Sequence, residues 1–307
     1  MKVLLHYTAG PRLEAVLRSL STDALEVTWT PEGDDAALAT SLADTEVLLH
    51  VLEPVTAATF AAAPQLRLVQ KLGTGVNTID LDEARRRGVA VANMPGANAV
   101  AVAEHTVALL LAVLRRVPRF DAEVRDGRGW PLDAAVPESL REVAGRTVGL
   151  VGYGAIARRV EAIVSAMGAT VVHHRRDPGS MPLDALLRAA DIVSVHVPLT
   201  EATRGLIGPA ELALLRPGAV LVNTGRGGVV DEAALVEALR AGRLSAGLDV
   251  FADEPLPPGS PFVALDNVVL TPHVAWLTFD TMVRCIELGV ANARRLQLGE
   301  PLVNPVP

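Results

Sequence analysis

Short apolar runs rich in β-branched residues alternate with helix-compatible segments along most of the chain. This alternation is typical of βα units, in which parallel strands are covered by helices on both faces. The first series predicts strands at 3–6, 25–28, 46–51, 66–70 and 89–92, and helices at 11–20, 35–42, 57–62 and 81–87. The second series, from residue 146, predicts strands at 147–152, 170–174, 191–195, 218–223, 244–248 and 268–270. The pattern predicts an α/β protein with two doubly wound parallel sheets.

Three segments depart from this alternation. Residues 99–114 form a long, almost uninterrupted apolar helix, which we expect to be buried between domains or between subunits because it is apolar on nearly all sides. Residues 126–137 are rich in Gly, Pro, Trp and charge, and predict an exposed connection. Residues 277–307 predict one long helix and a tail, too little for a separate domain, so this segment should pack on one of the other two.

Composition narrows the class of protein. The chain has 307 residues, enough for two domains, and its net charge of -7 argues against nucleic acid or an anionic membrane as the main partner. It shows no signal peptide and no apolar run long enough to cross a bilayer. One cysteine, Cys285, excludes an internal disulfide and fits a reducing compartment, so we expect a cytoplasmic protein. No His, Cys and Asp cluster has metal-ligand spacing, so no metal site is expected.

The most informative motif is G-x-G-x-x-A at 152–157, which lies between the predicted strand Thr147 to Val151 and the helix-compatible run Arg158 to Met167. This is the dinucleotide-binding fingerprint in the context it requires. Gly152 permits a tight turn, Gly154 lets the backbone approach a pyrophosphate, and Ala157 takes the third, small position. Free N–H groups at the helix start then face the phosphates. The alternative is a tight βα turn that binds no ligand.

The next strand, 170–174, ends in Arg175, Arg176 and Asp177. At this place, about 20 residues after the fingerprint, the fold normally offers a carboxylate to the adenosine ribose. An arginine instead offers a planar fork for the 2′-phosphate, so NADP is favoured and NAD stays possible. The alternative is a solvated basic loop in which Asp177 is the ribose ligand.

Three further residues follow later strands of the second series. Arg226 stands among small residues in N-T-G-R-G-G and is suited to hold a carboxylate through two hydrogen bonds, although a structural salt bridge is the alternative. If Glu254 reaches His273, it orients the ring and favours its protonated form, which makes a general acid near neutral pH. Taken singly, His273 would be better explained as a structural histidine.

Together these motifs resemble the D-isomer-specific 2-hydroxyacid dehydrogenases, including the glyoxylate and hydroxypyruvate reductases and the related phosphoglycerate dehydrogenases. The resemblance runs from about residue 66 to 276. The matching runs are K-L-G-T-G-V-N-T-I-D (71–80), V-A-N-M-P-G-A-N-A-V-A-V-A-E-H-T (91–106), V-G-L-V-G-Y-G-A-I-A (148–157), N-T-G-R-G-G-V-V-D-E (223–232), G-L-D-V-F-A-D-E-P (247–255) and T-P-H-V-A-W (271–276). The departures are Ala157 for the third glycine, Gly225 where alanine is commoner, and Arg175 in place of aspartate.

The resemblance implies a flavodoxin-like substrate-binding domain, 1–98 with 277–307, a Rossmann dinucleotide-binding domain, 99–276, and a cleft between them. It implies Arg226, Glu254 and His273 as the catalytic set. Arg226 would clamp the substrate carboxylate and His273, kept protonated by Glu254, would donate a proton to the keto oxygen. The expected activity is NADPH-dependent reduction of small 2-keto acids, glyoxylate or hydroxypyruvate first, to D-2-hydroxy acids by a homodimer.

Two alternatives to this activity stay open. One is an NAD-dependent D-2-hydroxyacid or phosphoglycerate-type dehydrogenase, and the other is a cofactor-sensing, corepressor-like binding protein. The residues expected at the cofactor are Thr74, Gly152, Tyr153, Gly154, Ala155, Ile156, Arg175, Arg176, His196, Val197, Pro198, Thr203, Thr224, Gly225, Asp249, His273 and Ala275. Those expected at the substrate are His50, Val51, Leu72, Gly73, Thr74, Gly75, Arg226, His273 and Trp276, with core packing as the alternative for Trp276.

Overall fold

The structure, a computed structural model, describes residues 1–130, 134–177 and 179–307. These residues fall into two compact units: unit 1 comprises Met1–Asn98 with Leu277–Pro307, and unit 2 comprises Ala99–Trp276. Each unit is built on one parallel sheet, which confirms the predicted fold class. Residues 131–133 of the predicted connection at 126–137 lie outside the described residues.

Unit 1 contains a five-stranded sheet in the order β2-β1-β3-β4-β5, with every neighbouring pair parallel. The order reverses beside β1, as in flavodoxin-like sheets. All residues of β3 and β4 are buried, as expected for strands covered on both faces. The elements are β1 (Lys2–His6), α1 (Pro11–Leu20), β2 (Glu26–Thr30), α2 (Asp35–Leu42), β3 (Val47–His50), α3 (Ala57–Ala62), β4 (Leu68–Lys71), α4 (Leu81–Arg87) and β5 (Ala90–Ala92).

Unit 2 contains a six-stranded parallel sheet in the order β11-β10-β9-β8-β6-β7, which reverses beside β6. Short 3-10 turns lie at Gly227–Val229 and Pro261–Ala264. The elements are α5 (Ala99–Arg115), α6 (Val117–Arg125), α7 (Val136–Ser139), β6 (Thr147–Val151), α8 (Ala155–Ala166), β7 (Thr170–His174), α9 (Leu183–Ala189), β8 (Ile192–Val195), α10 (Pro209–Leu214), β9 (Ala219–Asn223), α11 (Glu232–Arg240), β10 (Leu244–Leu248) and β11 (Val268–Leu270).

Helix α5 packs within unit 2, against α8 and strands β9, β10 and β11. Leu109 and Leu110 are among its buried residues, and a Cβ added to Gly247 of β10 would lie 3.1 Å from the Cβ of Leu109. The predicted burial of this helix is therefore explained by its packing within unit 2, and its role in a subunit contact stays a prediction. Its apolar side chains cover its own sheet, so its apolarity is no argument for a subunit interface.

Helix α12 (Phe279–Leu298) brings the end of the chain back to unit 1, where it packs on β3 and β4. Gly289 permits this close approach, because an added Cβ would lie 2.8 Å from a methyl group of Leu49. The Asn292 amide donates to Gln70 Oε1 at 2.7 Å and fixes the helix register on β4. Within the described residues, none of the helices has the length and apolarity that a membrane span requires.

Candidate active site

The turn after β6 lies at the point where the sheet order of unit 2 reverses, the usual ligand position in an open α/β sheet. Gly152 has a φ of +91°, and an added Cβ would lie 2.9 Å from the carbonyl carbon of His196. Nothing lies within 4 Å of the Cβ position of Gly154, which leaves room for a ligand against the backbone. The turn therefore fits a dinucleotide.

Helix α8 begins at Ala155, three residues before the predicted start at Arg158, because Gly154 already acts as its N-cap. The N–H groups of its first turn, at Ala155 and Ile156, have no acceptor within the helix and point out of its N-terminus. The residue Tyr153 stacks on His173 with ring centroids 3.9 Å apart. Glu161 accepts a hydrogen bond from the Tyr153 hydroxyl. These two contacts hold the Tyr153 side chain on the side of the turn that faces β7.

Arg175 and Arg176 are exposed immediately after β7, so both guanidinium groups are accessible to a ligand. The side chain of Arg175 forms an ion pair with Asp177, and its backbone N–H donates to Ser180 Oγ at 2.7 Å. From the sequence, Arg175 and Asp177 were alternative ligands at the ribose site. In the structure their side chains form an ion pair with each other. A 2′-phosphate would compete with Asp177 for the guanidinium.

The loop after β8 lies next to the Gly152 turn. Burial lowers the pKa of His196 to about 4, and its Nε2 lies 2.9 Å from Ser194 Oγ. The hydroxyl of Thr203 donates to Pro198 O at 2.6 Å and closes the loop. Val197, whose methyl group would meet a Cβ on Gly152 at 2.8 Å, lies on the same side. His196 and Val197 therefore lie against the Gly152 turn, and burial keeps His196 neutral at physiological pH.

Arg226 follows β9 and makes no ion pair with any described residue. Its Nη1 donates to Gly225 O at 2.8 Å, and its backbone is held because the Asn223 amide donates to Arg226 O at 3.1 Å. Burial lowers the pKa of Arg226, while the charge of Glu254 acts in the opposite direction. The structural salt bridge that was the alternative for this residue is absent from the described chain, and its charge is available to an anionic ligand.

Glu254 and His273 are brought together from the ends of β10 and β11. His273 Nδ1 lies 2.6 Å from Glu254 Oε2, and Glu254 Oε1 accepts from the Phe251 amide at 2.9 Å. Because an ionised carboxylate can only accept, Nδ1 carries the proton of this bond. Burial raises the pKa of Glu254, but the hydrogen bonds from His273 and Phe251 and the nearby charges of His273 and Arg226 bring it below its ordinary value.

The backbone of His273 has a φ of 55°, an uncommon left-handed conformation for a residue other than glycine. Its N–H donates to Asp249 O at 2.8 Å and to Thr271 O at 3.1 Å. The carboxylate of Asp249 is fully buried and accepts the amides of Val274 and Ala275 at 3.0 and 2.9 Å. Asp249 therefore supports the backbone that carries His273 and presents no oxygen to solvent.

The expected substrate residues of unit 1 lie at the carboxyl ends of its strands. His6, His50 and Lys71 are neighbours across β1, β3 and β4, in register. His50 is 2% exposed, and its Nε2 lies 2.6 Å from Glu53 O, so Nε2 carries the proton. Its Nδ1 is buried without a hydrogen-bond partner among the described atoms. Burial, aided by the charge of Lys71, lowers the pKa of His50 to about 3.

The segment 72–75 does not offer four free amides. Leu72 N donates to His50 O at 2.9 Å and continues the β-ladder, so this amide is unavailable to a substrate. Within the part of the chain that the structure describes, the amides of Gly73, Thr74 and Gly75 have no such partner. Asn93 holds this loop through a hydrogen bond to Thr74 O at 2.8 Å.

Residues 107–275 match the family model described as D-isomer specific 2-hydroxyacid dehydrogenase, NAD binding domain. The match covers more than half of the chain and lies within unit 2. The chain belongs to this family. It is therefore an oxidoreductase with a nicotinamide-dinucleotide-binding domain, and the resemblance found in the sequence is confirmed.

Three similar proteins place this dehydrogenase within the family. It is 43% identical to the glyoxylate reductase of Aeropyrum pernix over 244 residues, 75% of this chain and 73% of that protein. It is 40% identical to the D-3-phosphoglycerate dehydrogenase of Mycobacterium tuberculosis over 295 residues, 92% of this chain and 54% of that protein. The crystal structure of the NADPH-dependent glyoxylate/hydroxypyruvate reductase of Sinorhizobium meliloti matches with a TM-score of 0.82 and 30% identity, covering 99% of this chain and 97% of that chain.

Two residues of helix α5 that the sequence did not single out contact the loops that carry Arg226 and His273. His105 Nε2 lies 3.0 Å from Thr271 Oγ1, and Thr106 Oγ1 lies 2.9 Å from Thr224 Oγ1. In the sequence, the polar pair His105-Thr106 inside an apolar helix is the feature that distinguishes His105 from an ordinary core histidine. The partners of this pair, however, are more than one hundred residues away in sequence.

The remaining expected residues are placed as follows. Trp276 is partly buried three residues after His273, and Ala275 is buried between them. Val51 is buried beside His50. Among the described residues, no group of three or more His, Cys, Asp or Glu side chains is arranged to hold a metal ion.

Proposed function

We propose that this dehydrogenase is an NADPH-preferring reductase of small 2-keto acids, of the glyoxylate and hydroxypyruvate type, which yields D-2-hydroxy acids. The observation that carries the proposal is the 2.6 Å bond from His273 Nδ1 to Glu254, at the sheet edge where Arg226 has no ion-pair partner among the residues that the structure describes. This combination supplies a proton donor and a carboxylate ligand. The glyoxylate reductase relative and the NADPH-dependent structural neighbour support the same substrate class.

In the proposed reaction, a bound reduced nicotinamide supplies the hydride that reaches C2 of the keto acid. Arg226 binds the substrate carboxylate through its guanidinium fork and polarises the keto oxygen. His273 donates the proton from Nε2 to that oxygen while Nδ1 stays bonded to Glu254. Glu254 stabilises the imidazolium before the transfer and fixes the orientation of the ring.

We propose that unit 2 binds the cofactor and unit 1 binds the substrate. For the cofactor, the proposed residues are those at the Gly152 turn and at the ends of β7 to β10. For the substrate, we propose that the amides of Gly73, Thr74 and Gly75 donate to the carboxylate. His50 and Val51 are proposed to contact the remainder of the substrate.

The test is a panel of initial rates with glyoxylate, hydroxypyruvate, pyruvate and phenylpyruvate, each with NADPH and with NADH. We expect the highest kcat/KM with hydroxypyruvate or glyoxylate and NADPH, and the D-enantiomer as product. A preference for phenylpyruvate would contradict the assignment of a small-substrate pocket. If folded protein that binds the cofactor turns over none of these combinations of keto acid and cofactor, the result would favour the corepressor-like binding protein.

The NADPH preference is tested at Arg175. Loss of a charge-assisted hydrogen bond to phosphate costs about 1.5–3 kcal/mol, so Arg175→Gln should lower kcat/KM for NADPH about 10- to 100-fold. The value for NADH should stay within about threefold, because NADH carries no 2′-phosphate. Arg159→Gln, an exposed arginine on α8, is the matched control and should leave both values unchanged. Equal losses with both cofactors would contradict a 2′-phosphate contact.

An NAD-dependent phosphoglycerate-type dehydrogenase is the second candidate, and the 40% identity to the mycobacterial enzyme favours it. The two candidates differ in cofactor and in substrate charge. Oxidation of 3-phosphoglycerate with NAD, at a rate above that of hydroxypyruvate reduction with NADPH, would select this candidate. Asp177 would then be the ribose ligand.

We also propose that the dehydrogenase is a homodimer. Helix α6 contains no buried residue, and its Val117 and Val124 are 55% and 56% exposed. Trp130, shortly after this helix, is 81% exposed. Apolar side chains grouped in this way on a surface are typical of an interaction face. This face, rather than α5, is the proposed contact.

A further inference from the structure

Helix α5 reaches the His273 loop through one polar side chain, His105. Its Nε2 lies 3.0 Å from Thr271 Oγ1 and 3.5 Å from Asp249 Oδ1. Thr271 lies two residues before His273 in the sequence. The neighbouring Glu104 is exposed, so His105 is the residue of the E-H pair that the fold turns towards the site.

The direction of these hydrogen bonds follows from the donors available. Thr271 Oγ1 donates its single proton to Asp249 Oδ1 at 2.6 Å, because the ionised carboxylate can only accept. The bond between His105 and Thr271 must then run from Nε2–H to the hydroxyl oxygen. His105, Thr271 and Asp249 therefore form a directed chain of donors that ends on a fully buried carboxylate.

Asp249 passes this constraint to the backbone on the other side of His273. Its two oxygens accept the amides of Val274 and Ala275, and its carbonyl accepts the amide of His273 itself. The loop is thus held before His273 by Thr271 and after it by the two amides. His273 needs such support, because its left-handed backbone is unfavourable for a residue with a Cβ.

We propose that His105 is a positioning residue, which fixes the place of the His273 ring through Thr271 and Asp249 without touching the substrate. This inference rests on the proposed function of His273 as the proton donor. Removing the Nε2 donor leaves the Thr271 oxygen without a donor and frees the loop to move relative to Glu254 and Arg226. Chemistry should suffer more than binding, because a displacement of about 1 Å at a catalytic group costs about 100-fold in rate.

The test compares His105→Leu, which removes the donor, with His105→Gln, whose amide can again donate near the Nε2 position. We expect kcat to fall about 10- to 100-fold in His105→Leu with KM for the keto acid within about threefold, and to recover most of the loss in His105→Gln. The same comparison is made at Thr271 with Thr271→Val, which removes the hydroxyl, and Thr271→Ser, which keeps it. The double variant His105→Leu/Thr271→Val should be no slower than Thr271→Val alone, since both break one chain.

Wild-type kcat in His105→Leu, or equal losses in His105→Leu and His105→Gln, would overturn the inference. If His105→Leu does not fold, Thr271→Val and Thr271→Ser decide it by the same comparison. A second readout does not require turnover. It is the NMR resonance of the Nδ1–H proton of His273, which is assigned by its disappearance in His273→Gln. It should shift in His105→Leu and return in His105→Gln. Absence of wild-type activity would refute the proposed function, while this resonance would still test the positioning role.

Discussion

Gly227 is the residue at which the loop of Arg226 meets the loop of Glu254. A Cβ added there would overlap the backbone carbonyl carbon and oxygen of Phe251. Both atoms belong to the backbone and cannot move aside cheaply. Gly227 therefore sets the distance between Arg226 and the pair formed by His273 and Glu254, although it has no side chain that could take part in the chemistry.

We expect Gly227→Ala to lower the free energy of unfolding by about 1–3 kcal/mol through overpacking. It should also lower kcat/KM about 100-fold, because the two loops must separate. Gly228→Ala is the matched control, since its Cβ would meet the end of the Leu199 side chain at 3.3 Å. Urea unfolding and initial rates measure both effects. Similar losses in the two variants would contradict the assignment of Gly227 as a spacer.

Glu254 also makes a pH-dependent contribution to stability. Its pKa in the folded protein is below the ordinary value of 4.5, so its ionised form stabilises the folded state above pH 4.5 and this stabilisation is lost as pH falls through the lowered pKa. We expect Glu254→Gln to be less stable than the wild type at pH 7, and we expect this difference to shrink as the pH falls through the lowered pKa of Glu254. Unfolding free energies across pH 3–7 test this, and a constant difference would contradict it.

At the scale of elements, the strands match the predictions to within a few residues, because buried parallel strands appear as β-branched runs. The predicted helices agree less well with the structure. Helix α6 was not predicted, because none of its residues is fully buried and its exposed apolar residues do not mark a core-facing helix. The start of α8 was predicted wrongly because a glycine N-cap carries no side-chain signal. Register across β1, β3 and β4 places His6, His50 and Lys71 side by side, which no single strand reveals.

This alignment predicts an acid-sensitive element in unit 1. His50 has a pKa of about 3 when folded and 6.5 when unfolded, so stability is fully present above pH 6.5 and is lost as pH falls towards 3. Between pH 7 and pH 5 we expect the wild type to lose about 2 kcal/mol from this group. His50→Gln should remove that loss. Val51→Ala, the packing control, should lower stability by the same amount at both pH values.

At the scale of the whole molecule, the chain completes unit 2 and then returns to unit 1 through α12. The buried bond between Asn292 and Gln70 joins residues 222 apart in sequence. Fold and family follow from motifs spread over most of the chain, so they did not depend on any one of these distant contacts.

We expect light scattering to give a mass near twice 32.3 kDa for the proposed homodimer. Val117→Glu combined with Val124→Glu should shift the mass towards the monomer, because a buried charge without a partner is costly. Val263→Glu, which is 63% exposed on a turn of unit 2, is the control and should leave the mass unchanged. A monomeric wild type would refute the dimer.

The sequence by itself determined the fold class, the family and the position of the Gly152 turn, because each depends on local patterns: strand periodicity, ordered runs and a strand–turn–helix glycine motif. It also placed Arg226, Glu254 and His273 at the ends of strands, where a parallel sheet collects its functional groups. These inferences needed only spacing and residue type.

Only the tertiary structure decided which side chains meet. The pairing of Arg175 with Asp177, the engagement of the Leu72 amide, the contact that makes Gly227 necessary and the link from His105 to Thr271 all depend on atoms brought together by folding. Hydrogen bonds and close packing act over a few ångströms, whereas the residues concerned lie on different loops and helices. Their energies are therefore set by geometry that composition and periodicity do not contain.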